Sequence, residues 1–138
     1  MYCAESPAAA LLEVLVHFEI KIRDLPARYR LLKINAPDDI QVERVTLDRL
    51  SKDWPQQTTA TRAIGDTWLA NGATAMLRVP AALVPETSNV LLNPAHRDAR
   101  RIVVRQVTAH VIDRRLLADQ DDTAERTSAL ARSFVSSS

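Results

Sequence analysis

Residues 1–20 read MYCAESPAAALLEVLVHFEI. Ser6-Pro7 predicts a helix start. The serine hydroxyl can accept from a free N–H of the first turn, and proline fits the first helical position, where its missing donor does no harm. The following AAALLEVLVHF is apolar nearly all round. That predicts a helix buried on most sides, with Leu11, Leu12, Val14, Leu15, Val16 and Phe18 in the core. Glu13 interrupts this surface. Its carboxylate can point out between two apolar faces, pair with Lys21 or Arg23, or occupy an apolar cleft where loss of water tunes it for charge stabilisation.

Leu25-Pro26 ends the helical pattern. Residues 29–34 (YRLLKI) read as a strand closed by Ala36-Pro37-Asp38-Asp39, and 40–47 (IQVERVTL) as a second strand. After the loop 51–57, Thr59 or Thr61 is expected to cap a helix that Gly72 closes. Strands are expected at 75–79, stopped by Pro80, at 89–93 and at 102–107, with a turn or short helix over 94–100. The order predicts an α+β domain with a small mixed sheet and packed helices, not a regular βαβ series. From Ala118 the chain turns polar and ends in SSS. A short helix opened by Asp122 and Glu125, or a frayed tail, fits that segment.

The 138 residues suit one domain. Lys and Arg total 18 against 17 Asp and Glu, a net charge of +1, so the composition carries no footprint for nucleic acid or an anionic membrane. Arg97, Arg100, Arg101 and Arg105, interrupted by Asp98, read as a solvated face. One cysteine, Cys3, excludes a disulfide framework, and the three separated histidines match no metal-binding spacing. No apolar run reaches membrane-spanning length, and no basic segment precedes the first helix as in a signal peptide, which makes the cytoplasm the expected location.

Tyr2 could stack on a ring, Asn93-Pro94 starts a turn, and His96 after it reads as a surface residue. None of these signals is specific alone. Taken in order, however, YCAESPAAALLEVLVHFE, LLKINAPDD, TRAIGDTWLA and LRVPAALVPETSNVLLNPAH resemble the RES domain family, the toxins of bacterial Xre/RES toxin–antitoxin modules. The resemblance runs from Tyr2 to about Leu117, giving a RES-like domain over 1–117 and a polar tail over 118–138. It implies a fold similar to ADP-ribosyltransferases and loss of NAD+ by hydrolysis or phosphorolysis of the nicotinamide–ribose bond, with no metal. It implies an Xre-type antitoxin as partner and the possibility of a homo-oligomer within that complex.

The family's site is an Arg–Tyr–Glu trio. Tyr2 matches the tyrosine and Glu13, eleven residues on, the glutamate. A carboxylate beside the ribose offsets developing oxocarbenium charge, and a tyrosine ring can cover the nicotinamide and exclude water. Ser6 and Asn93 are implied near the nucleotide. The trio's arginine, which would hold the pyrophosphate, has no matching position, because only Met1 precedes Tyr2. Met1 stands where the family usually has valine, and a GTG codon is read as Met at a start. An internal start within a longer reading frame and a shortened remnant that only binds antitoxin are both open. Either predicts an unpaired sheet edge and weakened NAD+ turnover. Protein ADP-ribosylation is the further alternative that the fold resemblance allows.

Overall fold

The structure, a computed structural model, describes residues 1–17 and 26–113. Phe18, Lys21, Arg23 and the tail over 118–138 lie outside the described residues. Eight regular elements follow in order: β1 (Tyr2–Ala4), α1 (Pro7–His17), β2 (Arg28–Asn35), β3 (Val42–Arg44), α2 (Thr58–Asn71), β4 (Met76–Pro80), β5 (Ser88–Leu92) and β6 (Val103–Val111). The fold is α+β, as the element order predicts.

Four strands form one sheet in the order β1-β5-β4-β3. β1 and β4 flank β5 antiparallel, and β3 runs parallel to β4. Directly paired residues share a face of the sheet. Tyr2, Leu91 and Leu77 therefore share one face, with Ala4, Asn89 and Val79 beside them on it. Cys3, Val90 and Arg78 share the other. Both helices meet the first face. α1 brings Glu13 to Asn89, and a Cβ built at Gly65 of α2 would lie 3.8 Å from Leu91 Cδ2. The inner strands hold the densest core: Leu77 is 1% exposed and Asn89 is fully buried. Burying Leu77 alone contributes about 2–3 kcal/mol.

Local signals set the helix ends. Ser6 Oγ accepts from the Ala9 N–H at 3.1 Å, capping α1. Gly72 takes φ +60° and donates its N–H to Trp68 O at 3.1 Å, closing α2 in a left-handed turn that a Cβ would strain. Buried Trp68 then donates Nε1–H to Thr74 Oγ1 at 2.8 Å, and that hydroxyl donates to Met76 O at 3.1 Å. This relay ties the end of α2 to the start of β4.

Several expectations are corrected. Leu12, Val14 and Val16 are 40%, 44% and 52% exposed, because the sheet covers only one side of α1 in the described fold. The strand expected over 40–47 shortens to Val42–Arg44, since the chain turns into a 3-10 segment at Leu47–Arg49. Neither Thr59 nor Thr61 caps α2. The helix begins at Thr58, and Thr61 bonds back to the Gln57 and Thr58 carbonyls from inside it. The last strand runs to Val111 because it pairs along all of β2 in a separate antiparallel ribbon. A bulge at Lys33/Ile34 leaves Arg105 without an opposite partner there.

Candidate functional site

The site is built where β1, β5 and α1 converge. Tyr2 pairs with Leu91, so Asn89, two residues earlier on β5, is its diagonal neighbour on the same face. Glu13 follows Ala9 and Ala10 by one helical turn, and all three are partly buried. The small alanines let that stripe of α1 approach the sheet. Glu13 Oε1 then accepts from Asn89 Nδ2 at 2.7 Å, and the Tyr2 hydroxyl accepts from the same Nδ2.

A side-chain amide has two N–H donors, and here both are committed. The amide's orientation follows from its partners, since an ionised carboxylate only accepts and needs the nitrogen facing it. The opposite end of the amide is less well served. Asn89 Oδ1 is buried without a hydrogen-bond partner. Leaving such a group unpaired costs about 1–3 kcal/mol.

Tyr2 is 53% exposed as a residue, yet its hydroxyl end is tucked between Asn89 and Glu13. The phenol is pushed up to about 12: burial contributes most, the Glu13 charge acts in the same direction, and the Asn89 donor partly opposes them. A hydrogen bond to Glu13 also favours the protonated phenol. At neutral pH the site thus presents an uncharged phenol with an accessible ring beside a carboxylate.

Sequence reasoning names Tyr2 and Glu13, and the structure brings them together. The Ser6 hydroxyl is engaged in capping α1. Asn93, 4% exposed, braces the turn after β5: Oδ1 accepts from the Ala95 N–H at 3.0 Å and its own N–H reaches Ala75 O at 2.9 Å. Among the described hydrogen bonds neither side chain joins the cluster. Glu13 meets Asn89, while Lys21 and Arg23, its suggested partners, lie outside the described residues. Asn89 itself escapes the sequence reading. Its one signal is an asparagine inside SNVLL, a strand position that suits that residue poorly.

Arg78 does not extend the cluster. It pairs with Val90, points from the other face and binds Glu5 at 2.9 Å, while Glu5 also accepts from the Ser88 N–H at 3.2 Å. A separate cleft of about 260 Å³ opens beside the start of β4 and the turn after β5, lined by Asp39, Gln41, Thr74, His96, Arg97 and Arg101 among others. Its charges are largely matched. One Arg101 nitrogen straddles both Asp39 oxygens at 2.5 and 2.6 Å and holds that carboxyl below its usual range. His96 Nδ1 accepts from the Asp98 N–H at 3.1 Å, which places the proton of a neutral ring on Nε2.

No described helix is long and apolar enough to cross a membrane. Among the described residues no three His, Cys, Asp or Glu side chains gather as a metal site.

Comparison with known proteins adds the family. The RES domain model matches residues 1–129. A Toxin Res of Pseudomonas putida is 40% identical over 116 residues, covering 84% of this chain and 78% of that one. The Prs ADP-ribosylating toxin of a Sphingobium species is 36% identical over 121 residues, 85% of this chain and 74% of its own. A Toxin Res of Photorhabdus laumondii is 36% identical over 105 residues, 75% and 65% of the two chains. With its sequence matched over nearly its whole length, the chain belongs to the RES domain family.

Proposed function

We propose that the chain is the toxin of a toxin–antitoxin pair and acts by breaking the nicotinamide–ribose bond of NAD+. The observation that carries this reading is the joint hold of one buried amide on Tyr2 and Glu13, in a chain of the RES family. As nicotinamide leaves, the ribose gains oxocarbenium character. The Glu13 carboxylate offsets that charge and can hold ribose hydroxyls. The exposed Tyr2 ring offers a platform for nicotinamide, and its neutral hydroxyl adds no competing charge. Water or phosphate completes the reaction on the sugar. An Xre-type antitoxin is the proposed partner that keeps the activity in check.

The test is nicotinamide release from NAD+. The 138-residue chain runs beside a version extended into any upstream coding sequence, each with a Glu13→Gln control. Release that Glu13→Gln abolishes is expected. Absence of release in both forms would overturn the reading.

A second reading has its own support in the relative described as a Prs ADP-ribosylating toxin. Under it, the ADP-ribose passes to a protein side chain through the same Tyr2 and Glu13. Label from adenine-labelled NAD+ would then appear on an acceptor protein. Under the first reading it stays in free small molecules.

A further inference from the structure

Tyr2 and Glu13 both belong to the N-terminal stretch, Tyr2 on an edge strand and Glu13 on a helix with exposed apolar flanks. Asn89 is different. It is fully buried on β5, with β1 on one side and β4 on the other. It is also the described residue whose buried side-chain oxygen has no partner, while both its N–H groups are spent on Tyr2 and Glu13. A position selected for packing alone would carry an apolar side chain there.

We infer that Asn89 is a positioning residue: its two N–H groups pin the Tyr2 hydroxyl and the Glu13 carboxylate to a central strand, so that ring and carboxylate meet one substrate as a unit. The inference rests on the proposed reading of Tyr2 and Glu13 as the NAD+-cleaving pair. The chemistry of the position singles out asparagine. Aspartate of the same shape only accepts, and would face Glu13 as a like charge. Serine and threonine have one donor each. Lysine or arginine would neutralise the carboxylate that the reaction needs. Asparagine supplies two short-reach donors without charge.

The chain has two tyrosines, Tyr2 and Tyr29, so a Tyr29→Phe background leaves Tyr2 as the sole titrating phenol. Tyrosinate absorbance against pH then reads how strongly Glu13 acts on Tyr2, with circular dichroism confirming the fold. Glu13→Gln should move the Tyr2 midpoint down towards that of a free tyrosine. In an Asn89→Ala background the same change should move it far less. Asn89→Ser, with one donor, should fall between and serves if Asn89→Ala does not fold. In NAD+ turnover Asn89→Ala should lower kcat about 100-fold with little change in KM, the signature of lost alignment. An equal effect of Glu13→Gln on Tyr2 with and without Asn89 would overturn the inference. Coupling that depends on Asn89 in a chain that never consumes NAD+ would sink the functional reading and leave Asn89's hold on the pair in place.

Discussion

Two regions of the four-stranded sheet handle polar groups in opposite ways. Beside the start of β4 and the turn after β5, a cleft of about 260 Å³ is lined by charges that largely neutralise one another. Asp39 and Arg101 close on each other, and the Asp98 N–H meets His96 Nδ1. Where β1 meets β5, the polar groups are fewer and deeper. One uncharged amide serves a phenol and a carboxylate, and its own oxygen goes without a partner. The first arrangement pairs most of its charges and the second holds an unmet polar group. Open volume and an unmet buried polar group thus mark different regions, and the proposed reading follows the second.

That contrast can be broken most decisively at Glu13. Glu13→Gln keeps the shape and the hydrogen-bonding reach but removes the charge. It should lower NAD+ consumption by about 100-fold to 1,000-fold, read as nicotinamide release. Asp39→Asn, the equivalent change in the cleft, should leave that rate unchanged. A comparable loss from Asp39→Asn would move the proposed active centre to the cleft.

Tyr2 separates ring from hydroxyl. Tyr2→Phe should reduce turnover by about 10-fold and Tyr2→Ala by more, because the latter also removes the platform for the leaving ring. Equal losses would assign the effect to the hydroxyl alone.

The remaining effects concern stability. Gly72→Ala places a Cβ on a backbone with φ +60° and should destabilise the fold by about 1 kcal/mol in urea unfolding, with activity retained. A pH-dependent effect follows from the raised Tyr2 midpoint, about 12 against an ordinary 10.0. Between those values the folded chain keeps a proton that the unfolded chain has lost. Resistance to urea is thus unaffected below the lower value and falls as pH rises through the window. Tyr2→Phe should abolish that decline. Asp39→Asn should change stability least, since its pair with Arg101 is exposed and screened by salt.

Much of this architecture is legible in the sequence where the cause is local. Ser6-Pro7 marks the start of α1 because capping needs only the first turn, and Gly72 marks the end of α2 because few residues tolerate that backbone. The exposure of Leu12, Val14 and Val16 is not legible, because apolarity says what a helix can bury and not how much of it a neighbour covers. Tyr2 and Glu13 stand out through family resemblance, and their spacing alone would leave Glu13 a candidate for an ion pair. Asn89 is hidden for a different reason. Its link to Tyr2 spans 87 residues of sequence and exists only once β1 pairs with β5 in this register. Even a one-residue slip would turn Asn89 to the other face.

The most direct measurement is nicotinamide release from NAD+ by the purified chain, with and without Glu13→Gln. Release by the parent chain that the substitution cuts by about 100-fold or more, with the fold intact by circular dichroism, is the predicted result. Equal release by both would contradict the assignment of Glu13 as the charge that cleaves the bond.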